Sequence, residues 1–214
     1  MSLSETVLNA LFPKHVACSV CNREALINEK GVCTACEEKL RVCPPLPMLS
    51  QTDGFAAGLL YTEGIKQAMH RFKYGDAQYL AEFFASYMRL GEGWEADVIV
   101  PVPIHKKRLR ARGYNQSALI AQCLSKAFGL RVDETLLSRI KNTRTQTALS
   151  VDARRKNVKA AFVARPCEGL SIVLVDDVKT TGSTLCECAK ALRAAGARRV
   201  YALAACADEL PYQG

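Results

Sequence analysis

The sequence predicts an α/β fold, a mainly parallel sheet flanked by helices, with a small cysteine-rich module at its N-terminal end. Three observations predict it. Short apolar runs such as Asp97–Pro101 (D-V-I-V-P) and Ser171–Val175 (S-I-V-L-V) alternate with stretches of helical periodicity, as crossover-connected parallel strands require. Four of the ten cysteines form C-x2-C-x11-C-x2-C at Cys18, Cys21, Cys33 and Cys36. Pro44, Pro45 and Pro47 then give a stiff exit, the one clear boundary in the chain. The expected division is a module at 1–47 and the sheet domain at 48–214.

The elements follow in order. A short amphipathic helix is expected near Ser4 to Phe12; this stretch has no basic leader and carries Glu5, so no signal peptide is read and a cytoplasmic protein is expected. After the cysteine module at about 15–43, an apolar strand runs from Gly54 to Tyr61, followed by helical periodicity over Gly64–Phe72 and Ala77–Leu90. The strand Asp97–Pro101 ends in the Pro-Val-Pro turn of 101–103. A basic loop, Ile104 to Asn115, leads to a helix over Gln116–Phe128 closed by Gly129. Residues 139–157 are polar, basic and aperiodic, a length that implies a function or disorder. The strand Ser171–Val175, a helix over Ser183–Ala195 stopped by Gly196, and a strand over Arg199–Cys206 complete the sheet.

With 214 residues, 49% hydrophobic and 23% charged, the chain has the composition of a globular protein with one sizeable core, burying about 70% of its unfolded surface. No apolar run reaches the roughly 18 residues of a membrane span, so no membrane insertion is expected. The net charge of +8 is uneven: residues 105–159 hold 14 Lys/Arg against Asp133, Glu134 and Asp152. Such a segment, interleaved with Thr, Gln and Asn, suits phosphates, whether of a nucleotide or of a nucleic-acid backbone.

Each C-x2-C pair can present two thiolates on one turn, and two pairs can surround an ion tetrahedrally, a zinc-ribbon or treble-clef pattern. A closed four-thiolate Zn²⁺ site leaves no open position and is therefore structural. A disulfide framework is the alternative, disfavoured without a secretory leader. Cys43 is a spare or replacement ligand, and the remaining cysteines read as small apolar residues.

The chemistry is concentrated in Ile172–Thr184, I-V-L-V-D-D-V-K-T-T-G-S-T. A parallel strand delivers this turn to its carboxyl edge, where ligands of open α/β sheets bind. Gly182 allows close approach of an anion. The first N–H groups of the next helix, with the hydroxyls of Thr180, Thr181, Ser183 and Thr184, can surround one phosphate. Asp176 and Asp177 would repel that phosphate; they suit vicinal hydroxyls or a hydrated Mg²⁺. An ordinary helix cap would explain the Thr and Ser but not two adjacent acids. A phosphate acceptor beside a diol acceptor describes a ribose 5-phosphate site.

This motif resembles the signature of the type I phosphoribosyltransferases, which bind 5-phosphoribosyl 1-diphosphate (PRPP). Further motifs narrow the resemblance: H-R-F-K-Y-G-D at 70–76, V-P-V-P at 100–103, R-x-R-G-Y-N-Q at 110–116, T-x-x-Q-x-x-L-S at 143–150 and R-R-K-N-V at 154–158. With the cysteine module, and in this order, they look like the ComF (competence protein F) family across nearly the whole chain. The resemblance implies a zinc-binding segment joined to a phosphoribosyltransferase-type domain, and a role in natural transformation, in which imported single-stranded DNA is handled inside the cell. It assigns the ribose hydroxyls to Asp176 and Asp177, the 5-phosphate to Thr180, Thr181, Gly182, Ser183 and Thr184, and the diphosphate, with Mg²⁺, to the turn that includes Val102 and Pro103. It matches about Arg139 to Ser150 to the flexible loop over PRPP, making Arg139, Lys141 and Arg144 candidate diphosphate cations. Lys73 and Arg112 lie in family motifs, a structural salt bridge being an open reading for each.

Two departures bear on catalysis. Purine-salvage relatives have an acid that can act as base where this chain has Thr180, and the eight residues after Cys206 leave little room for a base-recognising hood. An acceptor pocket is therefore expected from the N-terminal module or from residues 54–90. Three functions are implied: a phosphoribosyltransferase of unknown acceptor, a PRPP-sensing factor that binds single-stranded DNA, or a zinc-dependent scaffold for a partner such as a helicase.

Overall fold

The computed structural model describes residues 17–141 and 160–208. The helix expected near Ser4 to Phe12 and most of the segment 139–157 lie outside them. The described elements are α1 (Thr34–Glu37), β1 (Gly54–Leu60), α2 (Glu63–Tyr74), α3 (Leu80–Ala85), β2 (Val98–Pro101), α4 (Lys106–Arg112) and α5 (Gln116–Phe128). They continue with β3 (Arg131–Val132), β4 (Leu137–Arg139), β5 (Phe162–Ala164), β6 (Ser171–Lys179), α6 (Ser183–Ala194) and β7 (Arg199–Ala207).

Five strands form one sheet in the order β1-β7-β6-β2-β3, every pair parallel. The central strands are almost wholly apolar because both faces are covered. On one face Val173, Val175 and Leu203 pack with Ile65, Phe72 and Phe84 from α2 and α3 and with Ile120 and Leu124 from α5. On the other, Ile172, Leu174 and Ala202 pack with Leu185, Ala189 and Leu192 of α6. The chain leaves β2 toward one face and β6 toward the other, so a crevice opens between these neighbours at their carboxyl ends, where open α/β sheets bind ligands.

The register sharpens that crevice. The last β2–β6 pair is Pro101↔Val175, whereas β6 stays paired with β7 as far as Lys179↔Ala207. The strand expected to end at Val175 therefore continues four residues, carrying Asp176 and Asp177 past the end of β2. Their free flank faces the turn after Pro101. There the Val102 N–H donates to the Val175 carbonyl (2.8 Å), and Asn115 Nδ2 donates to the Val102 carbonyl (3.1 Å).

Two local expectations change. The stretch expected as a basic loop contains α4, started by His105, whose Nδ1 accepts from Lys107 N–H (3.2 Å), and stopped by Gly113 at φ 85°. Its Lys, Arg, Leu and Ala are good helix formers, but α4 buries no residue and so leaves no apolar period to read. The helix expected over Ala77–Leu90 shortens to α3, because its flanks settle into i→i+3 turns such as Leu80 N–H to Ala77 and Met88 N–H to Ala85. Strands β4 and β5, which flank the segment expected to be aperiodic, pair antiparallel from Leu137↔Ala164 to Arg139↔Phe162.

The cysteine module packs into the same core as α2 and α3 through Val20 and Val32. Arg71 of α2 donates from one guanidinium nitrogen to the carbonyls of Ser19 (2.6 Å) and Val20 (3.1 Å). Lys30 sits 4.3 Å from the centroid of the Tyr87 ring. The exit segment lies along the edge of β1: Cys43 N–H donates to Gly58 (3.0 Å) and Leu60 N–H to Arg41 (2.9 Å). No helix among the described residues is long and apolar enough to cross a membrane.

Candidate functional site

The acid pair sits at the centre of the crevice. Asp176 is buried; its Oδ1 accepts from Ser117 Oγ (3.1 Å) and from the Asp177 N–H (2.9 Å). Burial, then the neighbouring Asp177 charge, pushes its carboxyl up to about 7. Asp177 is half-buried and bound at Oδ2 by Lys73 Nζ (3.0 Å), so Lys73 does form a salt bridge. Burial works against the Lys73 charge, but the Asp177 carboxylate outweighs it and raises its pKa.

The hydroxyl turn follows directly. Gly182, at φ 76°, is the residue before α6, and Thr181 Oγ1 lies 2.8 Å from Ser183 Oγ and accepts from Ser183 N–H (3.3 Å). A Cβ on Gly182 would meet Leu49 Cδ2 at 2.8 Å, so the exit segment of the cysteine module packs against the turn. Residues Thr180 to Thr184, with Asp176, line one small concavity. Lys179, at the end of β6, is buried with its Nζ lacking a hydrogen-bond partner among the described residues.

Of the cations predicted from sequence, Arg139 lies at the end of β4, half-buried, its guanidinium 5.3 Å from the centroid of Phe162. Burial and then the charge of Arg108 lower its pKa, and Asp176 opposes them. Lys141 is exposed, and Arg144 lies outside the described residues. Arg108 is a cation that sequence reasoning passed over: burial and Arg112 lower its pKa while Asp177 raises it, so it belongs to the same electrostatic neighbourhood. Val102 and Pro103 form the turn beside the acid pair, Val102 with its side chain in the core. Arg112 forms no described salt bridge; it donates to Gln116 Oε1 and lies 5.0 Å from the centroid of Tyr74. Lys73 carried no signal beyond its motif, and Arg108 and Ser117 lie outside the motifs; each comes near the acids only through the fold.

On the opposite side of α2, the Cys18, Cys21, Cys33 and Cys36 sulfurs all lie within 4.8 Å of one another. The Cys21 and Cys33 sulfurs are 3.9 Å apart, against about 3.8 Å between thiolates on a tetrahedron with Zn–S near 2.3 Å. Burial pushes the Cys18 thiol up, but N–H groups of Cys33, Cys21 and Val20 outweigh it and bring it down to about 7. Burial and the neighbouring sulfurs raise that of Cys36. Four clustered thiols of this kind form a site able to hold a metal ion.

No family model matches the chain. Among similar proteins, DNA utilization protein YhgH of Salmonella typhimurium is 30% identical over 217 residues, covering 88% of this chain and 96% of that protein. Competence protein F of Haemophilus influenzae is 28% identical, covering 86% and 93%. Competence protein ComFC of Bacillus subtilis is 28% identical, covering 78% and 68%. Similar solved structures include the glutamine phosphoribosylpyrophosphate amidotransferase of B. subtilis, with a TM-score of 0.39 and 24% identity over 60% of this chain and 25% of that one. The UMP synthase of Leishmania donovani gives 0.36 and 15% over 64% and 28%. Matched by such relatives over most of its length, the chain belongs to the family of competence protein F and the DNA utilization protein YhgH.

Proposed function

We propose that this protein binds PRPP with Mg²⁺ in the crevice and serves the handling of internalised single-stranded DNA in the cytoplasm; relatives named for DNA utilization and for competence support a role with DNA. One observation carries the reading: β6 delivers two adjacent carboxylates and then a hydroxyl turn opening α6 to the crevice between β6 and β2. Asp176 and Asp177 would accept from the ribose hydroxyls, with Lys73 Nζ 3.0 Å from Asp177 Oδ2 fixing that carboxylate in place. Thr180 to Thr184 would take the 5-phosphate on hydroxyls and N–H groups. Val102 and Pro103, with Arg139 and Arg108 and with Lys141 and Arg144 as further candidates, would face the diphosphate.

A carboxylate pair of this kind also fits a hard, hydrated cation, which needs oxygen donors and keeps several waters. Bound there, Mg²⁺ would supply charge neutralisation on the leaving diphosphate. If transfer occurs, the bond from C1 to diphosphate breaks through an oxocarbenium-like state, and the guanidinium groups stabilise the charge on the departing oxygens. The four-thiolate site fits Zn²⁺ in a structural role, its donors being soft, clustered and closed. The division into 1–47 and 48–214 separates these two roles.

The test is thermal unfolding of the whole protein with PRPP and Mg²⁺. Binding to the native state alone raises the Tm, by about 2.7 kcal/mol of stabilisation at a hundredfold excess over Kd. Changing Asp176 and Asp177 together to Asn should abolish the shift, and no shift in the unaltered protein refutes the site. A second reading, a PRPP sensor that binds single-stranded DNA without transfer, draws on α4, where Lys106, Lys107 and Arg110 are exposed. A salt-dependent gel shift with no diphosphate release would favour it.

A further inference from the structure

Lys73 stands in the last turn of α2, on the face of the sheet opposite α6, and brings its ammonium to 3.0 Å from Asp177 Oδ2. This is not a surface pair, since the Lys73 and Asp177 side chains are only 21% and 15% exposed. The solvent screening that reduces exposed ion pairs to little is therefore weak here. Lys73 also lines a concavity of about 630 Å³ with Tyr74, Arg108 and Arg112, so its ammonium borders both the acid pair and open space of ligand size. An ammonium has three N–H donors, and Asp177 is the described partner of one; the others can meet ligand oxygens. The carboxylate oxygens can be counted in the same way. Asp176 Oδ1 accepts from Ser117 Oγ and from the Asp177 N–H, and Asp177 Oδ2 is engaged by Lys73. Asp176 Oδ2 and Asp177 Oδ1 remain, one acceptor for each of two vicinal hydroxyls. A divalent ion bound directly to these carboxylates would compete with those hydroxyls or with Lys73. It would also enter a region already rich in positive charge, where Arg108 interacts with Asp177 and Arg139 with Asp176.

We propose that Lys73 is a positioning residue that serves as the resident cation of the acid pair: it holds Asp177 for a ribose hydroxyl and leaves Mg²⁺ only the diphosphate, so that PRPP binding needs no metal ion on the carboxylates. The proposal rests on the PRPP reading of the site and deepens it. A carboxylate pair taken alone fits a hydrated cation; in this chain Lys73 fills that place. A fixed ammonium is part of the fold before the ligand arrives, and it spares the removal of water from Mg²⁺, which dehydrates reluctantly. The lysine of H-R-F-K-Y-G-D thereby has a role toward the ligand, exerted through Asp177.

Thermal unfolding of the full chain at saturating PRPP, titrated with Mg²⁺, tests this. Lys73→Met should raise the Mg²⁺ concentration at half-maximal PRPP shift about tenfold, because an ion must then supply the missing charge. Lys73→Arg, which keeps the charge, should stay within about threefold of the unaltered protein. Mg²⁺ alone, at millimolar concentration, should leave the Tm of the unaltered protein unchanged. A lysine that serves only packing would lower the Tm of Lys73→Met without PRPP and leave the Mg²⁺ midpoint where it was, and that result overturns the proposal. So does Lys73→Arg behaving as Lys73→Met does, or a Tm rise with Mg²⁺ alone that Asp177→Asn removes. Lys73→Gln, with its polar end, gives the same reading should Lys73→Met fold poorly; loss of the PRPP shift in both at every Mg²⁺ concentration also overturns the proposal, since the ion then cannot stand in for the ammonium. Absence of the PRPP shift in the unaltered protein would instead remove the underlying reading.

Discussion

Asp176→Asn should make the unliganded protein more stable, and by an amount that depends on pH. The folded-state pKa of about 7 lies above the ordinary value of 3.8, so this carboxyl subtracts stability when ionised. The penalty is negligible below pH 4, grows through the window from 4 to 7, and is complete above it. At 1.36 kcal/mol per unit the full penalty is about 4 kcal/mol, to be taken as an upper figure because the group is coupled to Asp177. Asparagine keeps the Oδ1 that accepts from Ser117 and from the Asp177 N–H, so the local hydrogen bonds survive. For a chain of this size about 2–4 kcal/mol corresponds to a Tm rise of roughly 5–15 °C at pH 8.5. At pH 5 less than half of that should remain. Differential scanning calorimetry of both proteins at the two pH values reads this directly. A substitution that lowers the Tm at pH 8.5, or a difference that does not change with pH, would refute the electrostatic account of the acid pair.

Two further outcomes concern Lys179, which is buried, and Arg71, which is partly buried. Lys179→Met replaces an ammonium that has no described hydrogen-bond partner by an apolar chain of similar length, and should raise the Tm by about 2–8 °C, corresponding to about 1–3 kcal/mol. Burial lowers the Lys179 pKa against the opposing charge of Asp208, so the penalty is full at neutral pH and is relieved as pH rises toward the unfolded value; the gain should shrink near pH 10, and a loss of stability at neutral pH would refute the argument. Arg71→Met removes the donor to the Ser19 and Val20 carbonyls within the first cysteine turn, and should lower the Tm and hasten extraction of the metal by a chelator, followed as zinc released per chain. A protein that folds without metal would overturn the zinc assignment itself.

What could be read from the sequence was what lies contiguously along it. The helix Gln116–Phe128 and its Gly129 stop were legible because α5 combines a buried face with an N-cap, Asn115, and a left-handed C-terminal glycine at φ 68°. The acid pair and hydroxyl turn were legible for the same reason, as one strand runs straight into one helix. Lys73 and Ser117 were not, because their partners Asp177 and Asp176 are brought to them only by sheet order and by packing of α2 and α5. The α4 helix escaped because a helix that buries no residue fully shows no apolar period, and the pairing of β4 with β5 because three-residue strands carry almost no pattern. The concavity between the end of α2 and α4, lined by Lys73, Tyr74, Arg110 and Arg112, followed from neither motif alone; it needed H-R-F-K-Y-G-D and R-x-R-G-Y-N-Q to face each other.

The strip of chain beside β1 has a consequence for handling the protein. β1 is an outer strand of sequence G-F-A-A-G-L-L, and residues 41–43, tethered to the cysteine module, occupy part of its free hydrogen-bonding edge. An open edge so apolar is a template for pairing with other chains. On the proposed zinc reading, stripping the metal is therefore expected to cost solubility, as concentration-dependent self-association, before it costs the proposed PRPP binding, which would make the four cysteines a guard against aggregation as much as a clamp on the fold.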